Sequence, residues 1–212
     1  MKSFHLYFTV FLLILIFFSC SKEENTVTPL FEIGELAHGG MVFYVDETGQ
    51  HGLVSALEDI TYGATDTTYD GDLGYEWGCY GKYVPGADNE NIGSGYQNTI
   101  DILTHMCESE NGGKIAAQVA YDYESEGYND WYLPSRNELE ELYFSIGFGG
   151  EAGNIGNFLL DAHYWSSTEV DPNNAYNFLH KAAFTYYFYD ANNWYSSRAK
   201  DEIYRVRPIR SF

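Results

Sequence analysis

Apolar and polar positions change period several times along this chain of 212 residues. The run "GGMVFYVDETGQHGLVSAL" holds two short apolar stretches, 41–45 and 53–57, around a glycine-containing turn at 46–52. This pattern predicts a β-hairpin with a longish loop. Residues 60–91 keep no period of two or 3.6. They interleave Tyr62, Tyr69, Tyr75, Trp77, Tyr80 and Tyr83 with glycines and acids, and a long irregular segment inside a domain is either functional or poorly ordered. Helical spacing returns after "IGSGYQNT", with Ile100, Leu103 and Cys107 on one face and "ENGG" as the stop. A second, alanine-rich helix is predicted over 115–123, closing at Gly127.

The stretch "NDWYLPSRNELEELY" (129–143) sets the next element. Pro134 ends an extended segment. Ser135 is a good N-cap, and Glu138 three residues on completes a capping box. Leu139, Leu142, Tyr143 and Ile146 then form one apolar stripe, while Glu140 and Glu141 lie toward the other side. Gly147 and Gly149 end the helix. The acids here are expected to be helix-start chemistry and solvated surface, not an acid/base pair. The last third, in "HYWSSTE", "AYNFLH", "AAFTYYFY" and "IYRVRPIRSF", reads as strands separated by the turns "DPNN" and "DANN". Pro208 puts the final strand at an edge or a bulge.

Ahead of these elements lies a different kind of segment. Residues 6–18 form an apolar run of thirteen, preceded by Lys2 and followed by Ser19 and Cys20. It is too short to span a bilayer but fits a signal-peptide core. A cysteine directly after a small residue resembles a lipobox, so residues 1–20 are expected to be a lipoprotein signal with Cys20 the lipidated residue. Plain secretion by cleavage near Ser19 is the alternative. "SKEENTVTP" then reads as a flexible tether over 21–33, leaving 34–212 as one domain.

Composition narrows the partners. The formal charge of −20 becomes −21 when Lys2 is lost with the signal, since residues 1–20 hold no acid. Such a charge repels phosphate backbones and so argues against nucleic acid. It suits hard cations: Asp66, Asp70, Asp72 and Glu76 would offer calcium oxygen ligands on a loop, although turn chemistry explains them equally well and no EF-hand spacing is present. With Cys20 acylated, Cys79 and Cys107 remain. Outside the cytoplasm they either form a disulfide or stay two separate thiols. No nucleophile–base motif is legible; Ser167 lies too far along a strand from His163 for a direct hydrogen bond. The aromatic loop supplies the candidate ligand-binding residues, Tyr69, Tyr75, Trp77 and Tyr80, against the alternative that they cover the core.

The order of "GGMVFYVDETGQHGLVSA", "GYQNT", "GYNDWYLPSRNELEELY", "YWSSTE" and "YRVRPIRSF" resembles the Lcl C-terminal domain family, found at the end of the Legionella collagen-like adhesin and in many bacterial lipoproteins. The resemblance covers most of 34–212. It implies an α+β domain, similar to C-type-lectin-like folds, with a twisted antiparallel sheet, two or three helices and long irregular loops. It implies that Trp131, Pro134, Ser135, Glu138, Trp165, Arg205 and Arg207 are structural. Arg205 and Arg207 share a strand face and are expected to pair with acids of the Ser135 helix, Glu138 or Glu141. The adhesin domain's association with sulfated glycosaminoglycans does not transfer to so acidic a chain. The "W-x-L-P" helix start resembles formylglycine-generating enzymes, but their C-terminal cysteine pair is missing here.

The sequence therefore predicts a non-catalytic binding or adhesion module without a required cofactor, anchored through Cys20 to a bacterial outer membrane on its periplasmic side or at the cell surface. Glycans or surface proteins are the expected partners. The alternatives are a structural component of a cell-surface assembly, or a hydrolase with an acidic pocket.

Overall fold

Short β-branched and aromatic runs can bury only one face each, so they must pair before they pack. The computed structural model describes residues 30–64, 66–67, 71, 73–180 and 195–212. Among these, the hairpin forms as the pattern predicts: β2 (Gly40–Val45) pairs antiparallel with β3 (Gly52–Ser55), with a bulge at the level of Phe43. β1 (Leu36–Ala37) adds to one side, and β9 (Ile209–Ser211) to the other, in the order β1-β2-β3-β9. The edge position of β9 is where Pro208 can be tolerated, and Pro208 still accepts a hydrogen bond from the Ala56 N–H at 2.9 Å. A second antiparallel sheet has the order β6-β7-β8, from β6 (Ala162–Glu169), β7 (Asn174–His180) and β8 (Tyr195–Ala199). β4 (Asp66–Thr67) and β5 (Leu73–Gly74) make a small ribbon. The chain is an α+β domain.

Three helices pack on these sheets: α1 (Gly95–Thr104), α2 (Ala116–Tyr121) and α3 (Arg136–Ser145). In α3 the expected stripe of Leu139, Leu142, Tyr143 and Ile146 is buried against Phe43, Leu53 and Tyr164. The Asp171 carboxylate accepts the Asn173 and Asn174 N–H groups, which closes the "DPNN" turn between β6 and β7.

α1 departs from the expected face. It buries Gly95, Asn98, Thr99 and Ile102, leaves Ile100 and Leu103 half-buried, and ends before Cys107. The buried face makes hydrogen bonds: the Thr99 hydroxyl donates to Gly95 O at 2.8 Å and accepts the Leu133 N–H at 3.1 Å. A search for apolar periodicity cannot see such a face. Residues ahead of 34 also touch the domain: the Leu30 N–H donates to Gly49 O, and Phe31 meets Phe212 edge-on at 4.8 Å. Residues 1–29, with Cys20, lie outside the described residues, as do the strand expected in "AAFTYYFY" and the "DANN" turn. No helix among the described residues is long and apolar enough to cross a membrane.

One extended segment, Trp131 to Ser135, joins the two large sheets. On one side Tyr132 exchanges both backbone hydrogen bonds with Ile209, next to β3. On the other, Pro134 O accepts from Ser167 of β6, by its N–H at 2.7 Å and its hydroxyl at 3.1 Å. All five residues are buried. Trp131 packs with Val42, Val54 and Ala56, and Gly40 is required beside it: a Cβ there would sit 2.3 Å from Ser55 O. Cys79 and Cys107 form a disulfide across 28 residues. Closing a loop of that size contributes roughly 3–4 kcal/mol in the chain-entropy account.

Burial holds several phenols neutral. It pushes Tyr75 up to about 12 and raises Tyr132, Tyr164 and Tyr204 as well. A folded value above the unfolded one means that the contribution of these groups is complete below the unfolded phenol value and is lost as pH rises through the folded value. Stability is therefore expected to be level below about pH 10 and to fall steeply towards pH 12. Absorbance at 295 nm should show these tyrosines ionising only together with loss of the near-UV dichroism.

Candidate functional site

The stretch 129–143, richest in charge and aromatics, is the natural place to look for chemistry. Ser135 caps α3 with its side chain on the Glu138 N–H, and the Glu138 carboxylate returns to the Ser135 N–H at 2.7 Å, a complete capping box. Glu138 does more than the box requires. Its Oε1 accepts the Gly93 N–H at 2.8 Å, and Gly95 packs directly against the carboxylate. One acid thus ties the loop that enters α1 to the first turn of α3. Burial pushes this carboxyl up from its ordinary range, and the amides of Ser135, Gly93 and Gly95 pull in the opposite direction. A Cβ on Gly95 would lie 2.2 Å from Glu138 Oε2, so glycine is needed there. Glu138 faces backbone amides rather than a second acid.

The expected pairing of Arg205 and Arg207 with Glu138 or Glu141 is not what forms. Both arginines turn to Asp59, in the connection after β3. Arg207 donates through Nε to Asp59 Oδ1 at 2.7 Å, with Nη2 at 2.6 Å from the same oxygen. Its Nη1 donates to Gly156 O at 2.8 Å, and its guanidinium lies 4.3 Å from the Phe158 ring centre. Arg205 Nε stands 3.9 Å from Asp59 Oδ2, which also accepts the Tyr164 hydroxyl at 2.8 Å. Glu138 is already engaged by amides, and Glu141 lies instead in a hollow with Phe31, Tyr44 and Val45, where burial and then the neighbouring Glu140 raise its carboxyl. The two arginines do face one side, as period two expects, but neither lies in a strand, since β9 begins at Ile209; nothing local in "SALEDI" announces the partner.

Two further ion pairs carry no sequence signal of the kind used above. Lys200 and Glu169 pair with both side chains fully buried; Lys200 Nζ also donates to Lys82 O at 3.0 Å and lies 4.5 Å from the Trp77 ring centre. Glu169 accepts the Val84 N–H as well. Arg210 clamps Asp130 through two parallel bonds, Nε to Oδ1 at 2.6 Å and Nη2 to Oδ2 at 2.8 Å, while stacking 4.0 Å over Tyr128. That clamp holds the Asp130 carboxyl below its usual range.

The aromatic loop divides: Tyr75 and Trp77 face the core, whereas Tyr62, Tyr80 and Tyr83 are exposed. Trp77 is fully buried and its indole N–H donates to Ser166 O at 2.8 Å; Tyr75 is buried and its hydroxyl donates to Tyr62 O at 2.8 Å. These two leave the set of ligand-binding candidates, because aromatic area is what fills this half of the core. Trp165 lies beside them, with its indole N–H on Tyr75 O. Tyr80 is exposed. Tyr69, Asp70 and Asp72 lie outside the described residues. Asp66 pairs through its backbone with Gly74. Glu76, grouped with them as a calcium candidate, is buried and accepts the Glu110 N–H at 2.6 Å and the Asn111 N–H at 3.2 Å, fixing the loop beyond Cys107. Burial raises its carboxyl and these amides offset part of that. No group of three or more His, Cys, Asp or Glu among the described residues is placed to hold a metal.

No family model and no curated protein matches this chain. Among solved structures it is similar to a fimbrial protein from Bacteroides ovatus, at 19% identity and a TM-score of 0.41, over 74% of this chain and 35% of that one. The chain thus spans well under half of that protein's length.

Removing one member of a buried pair strands the other, at a cost of about 3–5 kcal/mol. Lys200→Met and Asp59→Asn are each expected to lose that much in urea-monitored unfolding, whereas Glu140→Gln, on the outer side of α3, should stay within about 0.5 kcal/mol of the parent.

Proposed function

We propose that this chain is a membrane-tethered, extracytoplasmic module without catalytic activity, serving as a structural component of a cell-surface assembly and meeting glycans or surface proteins through its outer loops. The observation that carries this reading is the fate of the buried charges. Glu138, Glu76 and Glu169 are bonded to backbone amides, with Lys200 also on Glu169, and Asp59 is engaged by Arg207 and Tyr164. General acid/base chemistry needs a carboxyl within reach of substrate, with its protonation poised by its surroundings. Carboxylates that hold loops and helix starts in place serve a frame instead.

The extracytoplasmic placement is supported by the Cys79–Cys107 disulfide, a bond that persists in oxidising compartments. The apolar run 6–18 ending at Ser19 and Cys20 supports a lipid anchor on an outer membrane. The likeness to the Lcl C-terminal domain family, and through it to C-type-lectin-like folds, is part of the same proposal. In its favour, the motifs "DWYLPS", "YWSST" and "VRPIR" converge: Pro134 bonds Ser167, Tyr132 bonds Ile209, and Trp165 bonds Arg205. Motifs far apart in sequence that meet at one junction behave as parts of one frame.

Metabolic labelling with a palmitate analogue should tag the parent chain and spare Cys20→Ala. Protease added to intact cells should remove the parent chain from the surface. Retention of Cys20→Ala label, or a parent chain found only in the cytoplasm, would contradict the reading.

A further inference from the structure

β2 is longer than its outer neighbour. β1 pairs only with Gly40 and Met41, and the chain just ahead of it reaches Val42: the Gly34 N–H donates to Val42 O at 2.8 Å, and the Val42 N–H to Glu35 O at 2.9 Å. Beyond that level, β3 alone among the described residues bonds the backbone of 43–45. A strand paired on one side leaves alternate N–H and C=O groups open on the other, which is a template for a further strand.

A hollow of roughly 460 Å³ marks the place. Tyr44 and Val45 both line it, together with Phe31, Glu32, Ile33 and Glu141. Successive strand residues point to opposite faces of a sheet. Tyr44 packs toward the core beneath α3, and Val45 toward the cluster around Trp131. A hollow that touches both side chains therefore lies at the edge of the sheet and not on either face. Four of its six lining residues are apolar, and Ile33 among them is exposed, as is Leu36 on β1.

Charge selects the occupant. Glu32 is exposed and Glu141 half-buried, and none of the lining residues is basic. Burial and the neighbouring Glu140 act on the Glu141 carboxyl, and no cation or hydrogen-bond donor among the described residues answers it. A second copy of a chain with a formal charge of −20 would bring acids to acids. Charges at an edge turn away strands of the same sign. A basic side chain entering the hollow would rest its methylene stem on apolar walls and place its cation at the carboxylates. We propose that the open edge of β2 at Tyr44 and Val45 takes an extended segment of a partner protein as an added strand, with a lysine or arginine of that segment seated in the hollow against Glu32 and Glu141. The inference rests on the reading of the chain as a component of a surface assembly, and gives that component a docking edge.

The test is an NMR titration of the isotope-labelled mature chain in detergent with blocked peptides of about six residues, an ordinary strand length. The peptides alternate valine and threonine around one central lysine or, in the control, one central glutamate. The lysine peptide should saturably shift the backbone amide resonances of 43–45 and slow their hydrogen exchange, and the glutamate peptide should do neither. Glu141→Gln should weaken binding of the lysine peptide roughly fivefold without lowering the thermal midpoint. The proposal is overturned if the lysine peptide leaves these resonances in place, if the glutamate peptide binds as well, or if Glu141→Gln binds as the parent does. A concentration-dependent dimer held through 43–45 would overturn it in favour of a second copy. Peptide binding only after deletion of residues 21–29 would overturn it in favour of the chain's own tether. Failure here, with Cys20 labelling and surface exposure intact, removes the docking edge and leaves the proposed function standing.

Discussion

The structure depends on one buried carboxylate that serves two helices. Helix N-termini present unpaired N–H groups, and burying them without acceptors is costly. Here the start of α3 and the approach to α1 meet, and Glu138 supplies acceptors to both: Ser135 at its own helix start and Gly93 in the loop that enters the other. The extended segment 131–135 can then run between the two large sheets with its backbone bonded on either side. The segment bonds β9 and β6; Arg207 of the Arg207–Asp59 pair lies just ahead of β9, and Glu169 of the Lys200–Glu169 pair ends β6.

This arrangement explains how a chain with 31 acids and 11 lysines and arginines forms a core at all. Several acids are internal acceptors for amides, where the backbone takes the place of countercharges. The buried cations Arg205, Arg207, Arg210 and Lys200 sit at the joints between sheets and loops, and Lys200, Arg207 and Arg210 lie against aromatic rings. What remains on the surface is mainly negative, consistent with solubility and with repulsion of polyanions.

Local features were legible where they were local. The hairpin, the capping box at Ser135 and Glu138, the stripe Leu139 to Ile146 and the edge position enforced by Pro208 all follow from spacing and side-chain chemistry within a few residues. On α1, hydrophobic period points to Ile100 and Leu103, whereas the buried face includes Asn98 and Thr99, whose polar groups are hydrogen-bonded. Tyr75 and Trp77 were weighed as ligand contacts because an irregular, aromatic loop looks the same in sequence whether its rings face in or out. The partners of Arg207 and Lys200 were invisible for a simpler reason: Asp59 is 148 residues away from Arg207, and Glu169 is 31 away from Lys200, and no periodic rule spans such separations.

The most direct test of the shared carboxylate is Glu138→Gln, read by unfolding free energy together with native-state hydrogen exchange at Gly93, Gly95 and Ser135. Glutamine keeps the shape but has one acceptor oxygen where the carboxylate has two, so an N–H must face an NH2 group. The account predicts a loss of about 1–3 kcal/mol with protection falling at amides of both loops. Unchanged stability, with protection retained at Gly93 and Gly95, would contradict it.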